Sequence, residues 1–364
     1  MLVPAPLRLE PAFFPKLWGG HRIRQLYYPT APEAEAIGEA WLVADHPNHE
    51  SVITDGPHGG QTLRQLLNHF PEAMLGSHAR LTVHGRFPLL LKILDAAEPL
   101  SVQVHPDDDA AARLGEPDVG KTEMWHVLHA DPGAELICGL RPGLSRESLA
   151  EVAEEGAIEK HLYSFTAEAG TTVFVPAGTV HAIGGGLVLA EIQQNSDITY
   201  RIYDWSRVDD AGRPRDLHLD KSAEVADFSG GHGGPAQPLS YSVSEGEVAV
   251  LGACRYFAGE RIRVSGVFTR ETRGCSFHIL LVVQGTMTVR AGEGCAVLAP
   301  GQCALVPGAC PCFSLEGGGE VLDFYVPDLR GDVVEPLLRA GHAAASIVLL
   351  GGGPLQSDLG RVLG

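Results

Sequence analysis

The sequence predicts a mainly β fold made of two barrel-like units with a few short peripheral helices. Gly occurs 44 times and Pro 25 times, and they separate many short runs rich in Val, Ile and Leu. Such runs bounded by turn residues are typical of strands, and an even series of them favours a barrel or sandwich. The chain has 364 residues, more than one typical domain, so we expect two packed units.

The charge of the chain restricts its partners. The formal net charge is −18, and the chain has no run of Lys or Arg that would neutralise a nucleic acid or an anionic membrane. The N-terminal segment lacks the pattern of a secretory signal, and no stretch approaches the roughly 18 apolar residues of a membrane span. We expect a cytoplasmic monomer or homodimer that acts on a small molecule, with no nucleic acid or membrane partner.

Three short helices are predicted outside the strands. Apolar residues recur at helical spacing from Leu63 to Phe70, and the segment from Asp107 to Leu114 begins with acidic residues after a proline. A third helix is predicted from Ser145 to Glu155, with Ser145 as its N-cap.

A glycine-rich run over 229–235 divides the chain, because no regular element is expected to survive it. The predicted domains cover 1–228 and 239–330, and a tail over 331–364 either returns to a sheet or frays. Strands of the second domain are predicted at Phe277–Val283, Thr286–Val289, Ala296–Leu298 and Cys303–Val306.

The two units share a weak internal repeat. Gly170 is followed by five residues, a Pro-Ala-Gly turn, two residues and His181; Gly301 is followed by five residues, a Pro-Gly-Ala turn, two residues and Cys312. This alignment predicts two barrels of the same kind, the second lacking the imidazole.

Polar residues at alternate positions of two predicted strands converge on one point. In LSVQVHPDD, Gln103 and His105 share one face of a strand; Lys121 and Glu123 share a face of the next strand by the same rule. The Pro-Ala-Gly turn would deliver His181 to the same place. These residues predict a metal centre whose nitrogen and oxygen ligands suit zinc, iron, manganese or cobalt.

Taken together, these motifs resemble a known family. The turn and its His181 match the second motif of the cupin superfamily, although Gly185 stands where that motif usually has Asn. The resemblance to type I mannose-6-phosphate isomerases covers roughly Leu9 to Trp205, and it is closest to the short bacterial form, because no long helical insertion separates Glu123 from His181. The segments that carry it are KLWGG (16–20), IGEAW (37–41), QVHPDD (103–108), GKTE (120–123), VPAGTVHAI (175–183) and NSDITYR (195–201).

The resemblance implies a role for each residue of the site. The first cupin barrel would be catalytic and the second degenerate, and the first would hold one Zn²⁺ per chain through Gln103, His105, Glu123 and His181. Lys121 and Arg201 would face a sugar phosphate, in a pocket lined by Trp18, Glu39 and Asp197.

The implied reaction interconverts mannose 6-phosphate and fructose 6-phosphate through an enediolate. Arg201 and Lys121 would stabilise its charge. The expected proton carrier is Asp197, Glu39 or a metal-bound water, with Lys121 as an acid.

Two other functions stay open at this point. An Fe(II) cupin oxygenase would also use two histidines and a carboxylate, but Gln103 would fill a position that such a site leaves free. Lys121 and Arg201 also suit a polyanionic sugar better than dioxygen. A sugar-sensing cupin is the other alternative, although it would not require both cations.

Overall fold

The computed structural model describes residues 2–33, 36–208, 211–230, 233–244, 246–352 and 357–364. The strands are β1 (Leu7–Arg8), β2 (Ala12–Gly20), β3 (Ile37–Val43), β4 (Asp45–His46), β5 (His49–Glu50), β6 (Leu89–Ala96), β7 (Val102–Val104), β8 (Glu123–Ala130), β9 (Glu135–Leu140), β10 (Leu162–Thr166), β11 (Thr172–Val175), β12 (His181–Ile183), β13 (Leu187–Gln194), β14 (Tyr200–Tyr203), β15 (Leu239–Val243), β16 (Gly246–Ala253), β17 (Ala258–Glu271), β18 (His278–Ala291), β19 (Gly294–Leu298), β20 (Cys303–Val306) and β21 (Cys312–Tyr325). The short helices are Arg22–Leu26, Gly56–His58, Leu63–His69, Pro71–Leu75, Asp108–Leu114, Leu149–Glu154, Ile158–His161, Leu219–Val225, Leu329–Val334, Glu335–Arg339, Ala344–Leu349 and Asp358–Leu363. The predicted mainly β class with short helices is confirmed.

Two sheets face each other in the N-terminal unit. One has the strand order β10-β9-β12-β7-β14 and the other β11-β8-β13-β6-β3-β2. Leu136 and Ile183 of the first sheet share a buried apolar cluster with Trp125 and Leu189 of the second. The space between the sheets is therefore the interior of this unit, and polar side chains that point into it are withdrawn from water.

The central strand β6 is buried on both faces. Leu94 points into the interior of the N-terminal unit, whereas Leu91 and Ile93 join a cluster with Phe277 and Phe324 of the C-terminal unit. Successive side chains of a strand point to opposite faces. The sequence of this strand is therefore largely apolar. Its face that carries Leu91 and Ile93 helps to hold the two units together.

The C-terminal unit is one sheet that folds over itself. Its order is β1-β20-β18-β21-β17-β16-β15, with β19 paired to β18. Glu260 and Arg270 both lie on β17, where a straight strand would separate them by about 33 Å, yet their side chains form an ion pair of 2.5 Å. The strand must therefore bend sharply between them.

Glycines make this bend possible. Gly266 pairs with Gly317, and Gly285 pairs with Gly319, so the long strands bend at the same level. Gly285 has a φ of 79°, and a Cβ added there would lie 2.0 Å from the carbonyl oxygen of Gly318. Only glycine fits such a close approach of two backbones.

The predicted helices are largely observed, with one correction. Thr62 caps Leu63–His69 in a capping box, and the Asp107 carboxylate accepts a bond from Ala110 N at the start of Asp108–Leu114. Ser145 is not the N-cap of the third helix, which begins at Leu149 after Ser148. The Ser145 hydroxyl instead lies 3.2 Å from that of Ser148, in the turn before the helix.

The strands of the C-terminal unit need a second correction. The strands β19 and β20 lie where they are predicted, but Phe277–Val283 and Thr286–Val289 belong to the single strand β18. The register of β18 against β21 shifts between Val282 and Gln284. Gly285 absorbs this irregularity, so the chain continues as a strand where the sequence predicts a break.

The tail neither returns to a sheet nor frays within its described residues. It forms short helices whose residues Val333, Leu337, Ile347 and Leu359 pack in one buried cluster. Burial of these side chains, rather than strand pairing, holds the tail in place.

The N-terminal strand crosses between the two halves. Leu7 of β1 pairs with Leu305 of β20, so residues predicted within 1–228 contribute to the second sheet. The predicted domain boundaries themselves stay a prediction, and Gly231 and His232 of the predicted linker lie outside the described residues. Within the part of the chain that the structure describes, no helix is long and apolar enough to span a membrane.

Candidate metal centre

Three neighbouring strands carry polar residues in one row. In the first sheet of the N-terminal unit, Gln103 of β7 lies directly opposite His181 of β12 on one side and Arg201 of β14 on the other. Residues directly opposite each other in antiparallel strands project to the same face. The register therefore explains how residues almost a hundred positions apart meet.

His105, Glu123 and His181 form a compact buried set. His105 Nε2 lies 3.5 Å from Glu123 Oε2, and His181 Nε2 lies 3.3 Å from Glu123 Oε1. One ligand atom from each residue lies within 4.8 Å of the others, a group that can hold a metal ion. Gln103 Nε2 is 3.3 Å from His181 Nε2, so the predicted amide reaches the same place.

The protonation state of His181 indicates what His105, Glu123 and His181 can bind. Its Nδ1 donates to the carbonyl of Thr179 at 2.8 Å, and burial lowers its pKa to about 4. At neutral pH its Nε2 therefore presents a lone pair to Glu123. Neither oxygen of Glu123 accepts a hydrogen bond from the residues that the structure describes. A buried carboxylate that faces a lone pair needs a cation, so the donor set fits a divalent metal.

Lys121 already brings positive charge to these atoms. Its Nζ lies 2.8 Å from Glu123 Oε2, outside hydrogen-bonding geometry, and 3.2 Å from His105 Nε2. Burial, together with the Lys121 charge, lowers the pKa of His105 well below its usual range. Both imidazoles are thus held neutral, which is the form that binds a metal.

Arg201 lies beside the predicted ligands in a region rich in guanidinium groups. Its Nη1 donates to the carbonyl of Asp216 at 2.9 Å, while its Nε is buried without a partner among the described residues. Burial, and then the neighbouring Arg215, lower its pKa. The buried Nε–H is a donor left free for a ligand that enters this side of the interior.

A buried lysine that the sequence analysis missed organises the rest of the interior. Lys92 Nζ lies 3.7 Å from both Glu39 Oε2 and Glu191 Oε2 and 3.9 Å from Asp197 Oδ1. Its burial opposes ionisation, but these three acids raise its pKa. Glu191 was also missed. The available signal was a single charge within each of the apolar runs LLLKILDA and LVLAEIQQ.

Two of the acids around Lys92 have pKa values that are shifted in opposite directions. Burial favours the neutral form of Glu39, but Lys92 and Lys16 outweigh it and lower its pKa to about 2. Burial raises the pKa of Glu191, whose Oε1 accepts a bond from Trp125 Nε1 at 3.1 Å. Glu191 is thus the acid whose pKa moves toward neutrality, which suits a group that exchanges a proton.

Asp197 and Trp18 occupy the edges of this interior. The Asp197 side chain is 37% exposed, and its Oδ2 accepts a bond from Asn48 Nδ2 at 3.0 Å. Trp18 is buried in the same apolar cluster as Trp125, whose ring lies 5.3 Å from the His181 ring. The predicted site residues thus surround one interior, and their individual roles stay predictions.

Comparison with known proteins identifies the family. A family model described as "Phosphomannose isomerase type I, catalytic domain" matches residues 7–132, and one described as "Mannose-6-phosphate isomerase, cupin domain" matches residues 247–326. The mannose-6-phosphate isomerase of Streptococcus mutans is 37% identical over 318 residues, which cover 87% of this chain and 97% of that protein. The chain belongs to the type I mannose-6-phosphate isomerase family.

Other relatives in this family agree. A mannose-6-phosphate isomerase of Bacillus subtilis is 35% identical over 323 residues, covering 87% of this chain and 98% of that protein. The crystal structure of the mannose 6-phosphate isomerase from Bacillus subtilis superposes with a TM-score of 0.79 at 31% identity, covering 88% of this chain and 99% of that one. The predicted family and the cupin character of the fold are therefore confirmed.

Proposed function

We propose that this chain interconverts mannose 6-phosphate and fructose 6-phosphate with one Zn²⁺ held by Gln103, His105, Glu123 and His181. The observation that carries the proposal is the buried apposition of His181 Nε2 and Glu123 Oε1 at 3.3 Å, where neither Glu123 oxygen accepts a hydrogen bond from the described residues. Family membership supports the reaction, and the absence of thiolate from this set is compatible with a catalytic zinc site. We expect it to work in the cytoplasm.

The charges of the interior suit an isomerisation through an enediolate. When bound, the metal supplies Lewis-acid polarisation of the substrate oxygens. Lys121, Arg201 and Lys92 add positive charge on the walls of the same interior. Because the walls exclude water, fixed charges there stabilise a developing anion more than they would in solution.

A proton must also move between C1 and C2 of the sugar. Glu39 is a weak base because Lys92 and Lys16 hold its pKa near 2. We propose Glu191 as the carrier, because its pKa is raised and because Trp125 fixes its orientation. Asp197, one of the carriers expected from the sequence, is the alternative. Its carboxylate lies 3.9 Å from Lys92 Nζ, at the partly exposed edge of the interior.

A coupled assay tests the reaction and the proton carrier together. We expect turnover of mannose 6-phosphate but not of mannose. Glu191→Gln should lower kcat by about 100-fold or more, in the range for loss of a general base. The matched variant Glu168→Gln, at a site outside this network, should keep normal kcat. A protein that binds mannose 6-phosphate without turning it over would contradict the proposal and favour a sugar-binding role.

A further inference from the structure

A second polar cavity, partly open to solvent, lies in the C-terminal unit, separate from the metal centre. It has a volume of about 180 Å³, and its walls include Tyr241, Glu260, Arg270, Cys275, His278 and Tyr325. Glu260 and Arg270 come from β17, on opposite sides of its glycine bend, and His278 and Tyr325 come from β18 and β21. The metal centre lies in the N-terminal unit, so the two sites share no residue.

The buried charges of this cavity are already paired with one another. Arg270 bridges two carboxylates, with 2.5 Å to Glu260 and 2.8 Å to Asp323. Asp323 also meets His278 Nδ1 at 2.9 Å, and Glu260 accepts a bond from the Tyr325 hydroxyl at 2.9 Å. A metal ion would have to displace this arginine, so the cluster does not resemble a vacant metal site.

Two polar atoms of the wall remain free to meet a ligand. Because His278 Nδ1 is directed at Asp323, its Nε2 faces away from the network, and this atom has no partner among the described residues. The Tyr241 hydroxyl likewise has none there. A hydroxyl compound can donate to the first atom and exchange a bond with the second.

The volume sets the size of that compound. A cavity of about 150 Å³ is large enough to bind benzene when its walls are apolar. The present cavity is slightly larger and its walls are polar, so one six-membered ring that bears hydroxyl groups matches it in size and in chemistry.

The charge of the cavity excludes phosphorylated sugars. Among the groups that line the cavity, the three acids Glu260, Glu271 and Asp332 outnumber the single arginine, Arg270. A phosphate group brought here would meet like charge, which costs binding energy. The Arg270 guanidinium is meanwhile occupied by its two carboxylates.

We propose that this cavity binds an uncharged cyclic polyol, such as a free monosaccharide, and rejects its phosphate ester. The proposal does not depend on the reaction at the metal centre. It gives the second cupin unit a ligand of its own in place of a purely structural role.

Titration calorimetry on the full chain tests the proposal, with mannose and myo-inositol as probes in the presence of saturating mannose 6-phosphate. Cys275 lines the cavity without joining the ion network, so Cys275→Trp should fill the space and weaken binding by about tenfold or more. Cys295→Trp places the same side chain at an exposed position and should leave binding unchanged. Tyr241→Phe removes one hydroxyl and is the second test if Cys275→Trp fails to fold.

The expected result is a heat of binding for at least one probe that persists with sugar phosphate present and is lost in Cys275→Trp or weakened in Tyr241→Phe. The proposal is overturned if neither probe binds, if mannose 6-phosphate abolishes the signal, or if both cavity variants bind as the unmodified protein does.

Discussion

The buried carboxylates of the two units are paired in opposite ways. In the N-terminal unit Glu123 accepts no hydrogen bond within the described part of the chain, and a neutral imidazole presents a lone pair to it at 3.3 Å. In the C-terminal unit Asp323 is held by Arg270 at 2.8 Å and by His278 at 2.9 Å. The first carboxylate lacks a fixed donor, and the second is held by side chains of the protein.

The two arrangements suit different roles. The first can bind a cation, and the second stabilises the fold. Glu123 faces the Lys121 ammonium at 2.8 Å but accepts no hydrogen bond from the described residues, so its oxygens keep lone pairs that suit a metal cation. An internally paired network such as that of Asp323 needs no ion, but removal of one member leaves the others unpaired. The same type of side chain should therefore respond to substitution in opposite ways in the two units.

The largest expected effect is on activity in the N-terminal unit. Glu123→Gln should lower turnover by about 1000-fold, comparable with loss of a preorganised electrostatic group, and should reduce the metal that copurifies with the protein. Elemental analysis and the coupled assay measure both effects, with Glu135→Gln, an exposed acid on β9, as control.

In the C-terminal unit the expected effect is on stability rather than on activity. Asp323→Asn should lower the free energy of unfolding by about 3–5 kcal/mol, because Arg270 and His278 lose a buried partner, and the folded enzyme should keep its turnover. Glu316→Gln on the same strand breaks only a surface pair with Arg290 and should cost less than about 1 kcal/mol. Equal stabilities of the two variants in urea unfolding would show that the buried network of Asp323 does not stabilise the C-terminal unit.

Arg201 tests whether positive charge in the N-terminal interior contributes to catalysis. Arg201→Ala should lower kcat by about 100-fold, since the guanidinium in the ligand row would be lost. Steady-state kinetics on this variant and on Arg146→Ala, an exposed arginine bonded to the carbonyl of Glu224, provide the measurement. Near-normal turnover of Arg201→Ala would remove this residue from the proposed mechanism.

The smallest effect concerns a buried histidine without a carboxylate partner. His126 bonds to the Thr172 hydroxyl at 2.8 Å, and burial, together with Arg261, lowers its pKa to about 4. Its neutral form is favoured on folding, so stability present above the unfolded pKa of about 6.5 is lost as the pH falls toward 4. Between pH 7 and 5 the loss should be at most about 2 kcal/mol.

Urea unfolding at the two pH values checks this prediction. His126→Gln should reduce the pH dependence by that amount, whereas His69→Gln, at an exposed helix end, should not. An unchanged pH dependence in His126→Gln would show that the burial of this imidazole does not control acid stability.

The residues of the candidate metal centre could be predicted from the sequence because local rules bring them together; their roles as ligands stay a prediction. Alternation along one strand brings Gln103 and His105 together, and the Pro-Ala-Gly turn places His181 at the start of β12, as it places Cys312 at the start of β21. The motifs therefore indicated both the metal centre and the internal repeat.

The missed residues depend on pairing between distant strands. Glu191 lies opposite Lys92 in the register of β13 against β6, and no local pattern fixes that register. The sharp bend that brings Arg270 to Glu260 was missed for the same reason, since the glycines responsible lie on three separate strands. The tail was missed because its short helices depend on burial against the C-terminal unit.

Removal and restoration of the metal tests the central claim most directly. The purified protein would be treated with a chelator, assayed for conversion of mannose 6-phosphate, and assayed again after addition of one equivalent of Zn²⁺. The account predicts loss of turnover on chelation and recovery with zinc in the parent protein, but no recovery in Glu123→Gln. Full activity in demonstrably metal-free protein would contradict it.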